Sequence, residues 1–398
     1  MIRNVIINKI SDIFNLEKLT IKKHNAFLMI YILLSFLVYL GVSDYLIQQG
    51  NVESMQQLFK NLSYENNIGL NLWADSTTYT AASKEYDLKD IGLLYDIHPN
   101  FLGPFLVLKI FNSNELLIYL FNVILFLSSV LVLIKYYPVN KYKFVLLLCI
   151  SPMLLSSLLA INKEIFAMYS MSMFLIYRKN RKPIFLFACL LSAYISRLEM
   201  VFVMIVLLLS FSKYNYFRNK RLIMIAVYLV SVSVIFPFML DNAYYAHNYE
   251  RTLEAIDMYE TYEAKGTGIF ALFLKLQENF CYFLAFIPKT LHALIGAAFR
   301  VNIYNIINKV DFYHAFITVS QSFVYLFLLI QMIMKKKINI DNEIFYIAII
   351  FCIFINLSLV ITTRYLFPLH LLFVLLLSTR NLQKHTMHQI NTPLLGQL

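Results

Sequence analysis

Long apolar runs, rather than alternating polar and apolar positions, organise this chain. They occupy residues 26–47, 116–134, 144–161, 165–177, 183–196, 200–212, 222–240, 312–334, 344–363 and 365–378. Barrel strands facing lipid would alternate with period two. Unbroken runs predict helices instead, and a helix of roughly 20 apolar residues crosses the hydrocarbon of a bilayer. The pattern therefore predicts an all-α, polytopic integral membrane protein with about ten transmembrane helices in one domain, 26–378. Two further apolar stretches, 101–111 and 269–300, are too short or too broken (Lys275, Glu278, Pro288, Lys289, His292) and are read as re-entrant or interfacial helices. They lie in two large loops, 48–115 and 241–311.

Six of the runs form three longer ones with a charged break near the middle. Residues 144–177 are broken at Asn162-Lys163-Glu164, residues 183–212 at Arg197 and Glu199, and residues 344–378 at Arg364. A helix of about 30 residues would be about 45 Å long, against about 30 Å of hydrocarbon. Each run is therefore expected to fold as a helical hairpin with a charged tip below the membrane surface. Charge at that depth costs about 2.5–3.5 kcal/mol per residue unless a partner or a wet cavity receives it. Five charges at three tips on one side predict a shared polar cavity. The plainer alternative is local pairing, Lys163 with Glu164 and Arg197 with Glu199, that only fixes topology.

Composition agrees with a membrane class. Of 398 residues, 60% are hydrophobic and 14% charged, where a soluble domain carries about 25% charged. The net charge of +11 sorts by loop. Segments 1–25, 135–143, 178–182, 211–221, 335–343 and 379–398 hold 21 Lys/Arg and four acids, whereas the remainder holds 13 Lys/Arg and 19 acids. Positive loops face the cytoplasm, so both termini are expected there, with 1–25 and 379–398 as cytoplasmic ends. The basic balance then reflects orientation rather than nucleic-acid binding. Run 26–47 is long enough to span and lacks a small-residue cleavage site, so no cleavable signal is expected. Cys149, Cys189, Cys281 and Cys352 sit in or beside apolar runs, without the spacing of a disulfide framework or a metal site.

The first external loop carries the other candidate chemistry. Asp75, among apolar and aromatic neighbours, is a candidate proton acceptor, with Tyr79 one helical turn on to orient it. Asp75 could equally cap a helix beginning at Ser76. His98, before Pro99, is a candidate external acid/base or ligand, although a lone loop histidine is more often neither. In the second loop Glu250, Glu254, Asp257 and Glu260 fall on one face of a helical run, either a solvated face or a lid over the cavity.

In order along the chain, Asp75-x-x-x-Tyr79, Asn100-Phe101-Leu102-Gly103-Pro104, Ser151-Pro152, Asn162-Lys163-Glu164, Ser196-Arg197-Leu198-Glu199 and Arg364-Tyr365-Leu366-Phe367-Pro368 resemble the C-type-fold membrane glycosyltransferases. The Asn-Lys-Glu and Arg-x-Glu tips resemble bacterial O-antigen and capsule repeat-unit polymerases still more. The likeness covers about 70–380, and it departs from the glycosyltransferases where Glu164, preceded by lysine, stands for their usual Asp. It implies a glycosyltransferase C-like fold in the bacterial inner membrane and an enzyme acting on undecaprenyl-diphosphate-linked glycan. A single-sugar C-type transferase using a polyprenyl phosphate, or an O-antigen ligase, shares these features; a glycan flippase is the non-enzyme alternative.

Such a transfer needs cations for the leaving diphosphate and a carboxylate for the attacking hydroxyl. Arg197, Arg364 and Lys163 are the candidate diphosphate ligands, with Tyr79, His98 and Tyr365 as further glycan or phosphate contacts. Asp75, Glu164 and Glu199 are the candidate catalytic carboxylates. No organic cofactor is implied and no metal ligands are assigned, with a divalent metal left open. Implied partners are the lipid-linked glycan, membrane lipids and a chain-length regulator, with no nucleic acid.

Overall fold

Sixteen α-helices and two short 3-10 turns make up the described part of the chain. The computed structural model describes residues 23–48, 76–97, 99–159, 161, 163–217, 219–240, 269–299, 312–358 and 363–379. The helices are α1 (Lys23–Gln48), α2 (Ser76–Glu85), α3 (Ile91–Ile97), α4 (Leu102–Ile110), α5 (Glu115–Tyr136), α6 (Lys141–Cys149), α7 (Pro152–Leu159) and α8 (Lys163–Asn180). They continue as α9 (Pro183–Ser196), α10 (Leu198–Ser210), α11 (Arg221–Leu240), α12 (Ile269–Glu278), α13 (Tyr282–Phe299), α14 (Phe312–Met334), α15 (Glu343–Ile355) and α16 (Phe367–Ser378). Asn114, Asn140 and Asn342 cap α5, α6 and α15, each accepting from a backbone N–H of the first turn.

Among the described residues four helices contain stretches long and apolar enough to cross a membrane alone: Lys23–Gly41, Leu116–Tyr136, Arg221–Phe238 and Phe316–Met334. The bent pair α6–α7 is a fifth, and α9, α10, α15, α16 and most of α13 are shorter apolar helices. The chain is a multi-pass membrane protein. At its centre every residue of α16 is buried, as expected of a helix that is apolar all round. Helix α8 packs on α9, α5 and α16. The outer helices α1 and α11 leave Leu33, Leu37, Val230 and Ile235 exposed, an apolar surface suited to lipid.

The three broken runs do fold as helix–break–helix. Breaks lie between α7 and α8, between α9 and α10, and between α15 and α16. One feature departs from the sequence pattern: run 144–161 is not a straight helix but bends by 73° between α6 and α7. Pro152 has no N–H to donate, and the polar groups freed by the bend find side chains. Ser151 Oγ accepts from Leu154 N and donates to Gln321 Oε1, and His370 Nε2 lies 3.2 Å from Leu148 O. Neighbouring side chains of this kind are what make a broken helix tolerable in lipid.

The stretch 101–111 forms the nine-residue helix α4, about 13 Å long. It packs against α2 and the end of α9. Gly103 makes that approach: a β-carbon there would fall on the backbone carbonyl of Ile195. The stretch 269–300 divides into α12 and α13, with Phe280 at φ 60° between them.

Candidate functional site

Helices α8, α10 and α16 start at one end of the bundle, and α7, α9 and α15 finish there. Helices of 12 to 14 residues, such as α9, α10, α15 and α16, are only about 18–21 Å long, shorter than the about 30 Å of a bilayer's hydrocarbon. Three of the five tip side chains are buried, with Glu164 at 1%, Lys163 at 8% and Arg197 at 8% exposure, and Glu199 and Arg364 are half-buried.

The tips pair with one another rather than within themselves. Arg197 Nη2 lies 3.3 Å from Glu164 Oε1, and Arg364 Nε lies 4.0 Å from the same oxygen. One carboxylate thus sits between guanidiniums from two other hairpins. Tyr365 floors the group, its ring centre 4.0 Å from Arg197 Cζ and 5.8 Å from Arg364 Cζ, a cation–π arrangement. Lys163 turns toward the loop helices instead, its Nζ 5.1 Å from the Tyr79 ring centre and 5.6 Å from that of Phe101. Tyr79 and Phe101 meet edge to face at 5.1 Å.

Glu199 has a different surrounding. Its Oε1 accepts from Asn100 Nδ2 at 3.2 Å, while Asn100 Oδ1 accepts from Leu198 N at 3.1 Å. Asn100 therefore caps α10 from outside that helix and holds Glu199 with a neutral amide. Arg197, at the formal cap position, makes no side-chain cap of its own. Buried and without a hydrogen-bond partner among the described residues are Glu164 Oε2, Arg197 Nε, Glu199 Oε2 and Ser196 Oγ. Buried polar atoms are nearly always partnered in native proteins, so water or a ligand is the expected partner of these four.

Of the candidates read from sequence, the structure brings together Lys163, Glu164, Arg197, Glu199, Arg364, Tyr365 and Tyr79. Asp75, His98 and the acidic run 249–260 lie outside the described residues. Sequence reasoning missed Asn100 and Phe101 as site residues, although both stand in the motif before Gly103. Among the described residues no three His, Cys, Asp or Glu side chains converge to hold a metal ion. Among the described residues Lys163, Arg197 and Arg364 stand against Glu164 and Glu199, one more cation than acids, a balance suited to an anion. The chain matches no protein-family model, no curated protein and no solved structure.

Proposed function

We propose that the chain is a membrane glycosyltransferase polymerising undecaprenyl-diphosphate-linked oligosaccharide repeat units, O-antigen or capsular, on the outer face of the bacterial inner membrane. The observation that supports this most is the meeting of three hairpin tips in one buried, net-positive cluster. On this reading α1, α5, α6–α7, α8, α9, α10, α11, α14, α15 and α16 are ten crossings of a glycosyltransferase C-like fold. Both termini are then cytoplasmic and the cluster faces outward.

The acceptor hydroxyl oxygen attacks the anomeric carbon of the donor glycan, and the bond from that carbon to the diphosphate oxygen breaks. The leaving diphosphate keeps the bonding electron pair, and the hydroxyl proton passes to a carboxylate. Arg197 and Arg364 face the growing negative charge, their planar forks suited to two phosphate oxygens at once. Lys163 adds a third cation. Glu164, shared between the two guanidiniums, sets their spacing. Glu199, held by the Asn100 amide and with its second oxygen unpartnered among the described residues, is the better placed of the two to take the proton, with Asp75 a further candidate. The Tyr365 ring lies against Arg197 and Arg364 and the Tyr79 ring against Lys163, and His98 remains a candidate glycan or phosphate contact.

Three cations favour a diphosphate carrier over a monophosphate sugar; a ligase would use the same carrier with another acceptor. The test is surface glycan from cells carrying Arg197→Ala, Arg364→Ala or Glu199→Gln in place of the native chain. Loss of long chains with single repeats retained is expected. Disappearance of even single repeats would indicate transport rather than polymerisation, and wild-type ladders in all three would overturn the site.

A further inference from the structure

The end of the bundle away from the tips is basic. Helices α10 and α15 have their far ends there, at Ser210 and Glu343. Arg178 pairs with Glu343 at 3.3 Å across that end, and the turn after α14 carries Lys335, Lys336 and Lys337 in succession. A cavity of about 870 Å³ opens between the start of α11, the 338–341 turn and the first turns of α15.

Its lining has two characters. Lys220 and Arg221 bring cations, with Asn219 and Asn339 as neutral polar neighbours and Asp341 as the one acid. Leu222, Ile223, Ile338, Phe345 and Ile349 supply an apolar wall. Leu222 is 67% and Ile338 47% exposed, so this wall is open to a chain of lipid. Arg221 is held in place: Nη1 donates to Ile340 O at 2.9 Å, and Cζ lies 5.2 Å from the Tyr346 ring centre. A guanidinium has five N–H donors, so one bond to a carbonyl fixes its orientation without using it up. Lys220 is exposed, its Nζ 5.7 Å from the Tyr216 ring centre.

From this we infer that the cavity between α11 and α15 is a binding site for one anionic phospholipid, phosphatidylglycerol, of the leaflet at the basic end. Its phosphate lies between Lys220 and Arg221, its glycerol headgroup toward the amides and Asp341, and its acyl chains along Leu222, Ile223 and Phe345. Charge selects the anionic lipid: the cations of the lining outnumber its acid, and the adjacent lysine turn adds three more. Basic pockets between transmembrane helices at the cytoplasmic side bind anionic headgroups for this reason. The inference stands apart from the proposed transfer chemistry, since it shares no residue with the tip cluster.

The test is native mass spectrometry of the full chain released from bilayers of phosphatidylglycerol and phosphatidylcholine. Lys220→Glu is compared with Lys213→Glu, which reverses an exposed lysine outside the cavity lining. Wild type and Lys213→Glu are expected to retain one phosphatidylglycerol that Lys220→Glu loses, with at least fivefold preference over phosphatidylcholine. Unchanged retention in Lys220→Glu, or equal retention of the two lipids, overturns the inference. Binding of glycerol 3-phosphate as tight as that of the lipid, measured in detergent, reassigns the cavity to a soluble phosphate and overturns it too.

Discussion

Glu164 and Arg197 are a buried pair from different hairpins, 3.3 Å apart with side chains 2% and 9% exposed. Removing one member of such a pair leaves the other charged and desolvated, a loss of roughly 3–5 kcal/mol, whereas replacing both by apolar groups is often nearly neutral. Glu164→Ala is therefore expected to lower the thermal midpoint of the purified chain more than the double change Glu164→Leu with Arg197→Met does. Both should abolish long surface glycan. Glu199→Gln should behave differently, because an amide still accepts from Asn100 Nδ2. A melting curve like that of wild type with chain extension lost is the expected pair of readings. Arg197→Lys keeps charge but loses the planar fork over Tyr365, so long chains should shorten rather than persist unchanged.

Individual elements owe their placement to a few contacts between the breaks. Gly103 lets α4 touch α9 just before Ser196, and through Asn100 that contact sets where α10 begins. Gly103→Ala must push α4 off the Ile195 carbonyl, with a loss of about 1–3 kcal/mol typical of overpacking. A lowered melting midpoint in detergent, together with reduced chain length, is the expected outcome; an unchanged midpoint would refute the close approach. Lys289 does the same work on the other side. Wholly buried on α13, its Nζ donates to Gln277 Oε1 at 2.7 Å, Asn356 O at 3.0 Å and Ser358 O at 2.8 Å, taking carbonyls left open at the end of α15. Thr363 Oγ1 donates to Ala293 O at 3.0 Å, so α13 holds the chain on both sides of the turn into Arg364. Lys289→Met removes all three donors at nearly equal length. It should destabilise the chain by several kcal/mol, at about 1–3 kcal/mol for each buried acceptor left without its bond, measurable as a drop in melting midpoint.

At the scale of the whole molecule, the helix ends define two faces. The tips and α2 lie at one, and the lysine-rich turns lie at the other. With the four native cysteines replaced, a membrane-impermeant thiol reagent applied to intact cells should label Lys84→Cys and leave Lys213→Cys unreacted. The reverse pattern would place the tip cluster in the cytoplasm and remove the proposed substrate from its reach.

Much of this was legible in the amino-acid order because hydrophobic run length and loop charge are one-dimensional quantities. The apolar blocks, the three charged breaks and the residues Lys163, Glu164, Arg197, Glu199 and Arg364 were all visible there. What no run length contains is which tip meets which. A shared cavity was expected, with pairing of sequence neighbours, Lys163 with Glu164 and Arg197 with Glu199, as the plainer alternative, yet a helix break points adjacent side chains in different directions. Only the packing of α8, α9, α10 and α16 brought Arg197 and Arg364 to one carboxylate and gave Glu199 to Asn100. The bend at Ser151 and the burial of Lys289 likewise depended on Gln321, Asn356 and Ser358, residues far along the chain that supply the bonds a broken helix or a buried ammonium needs.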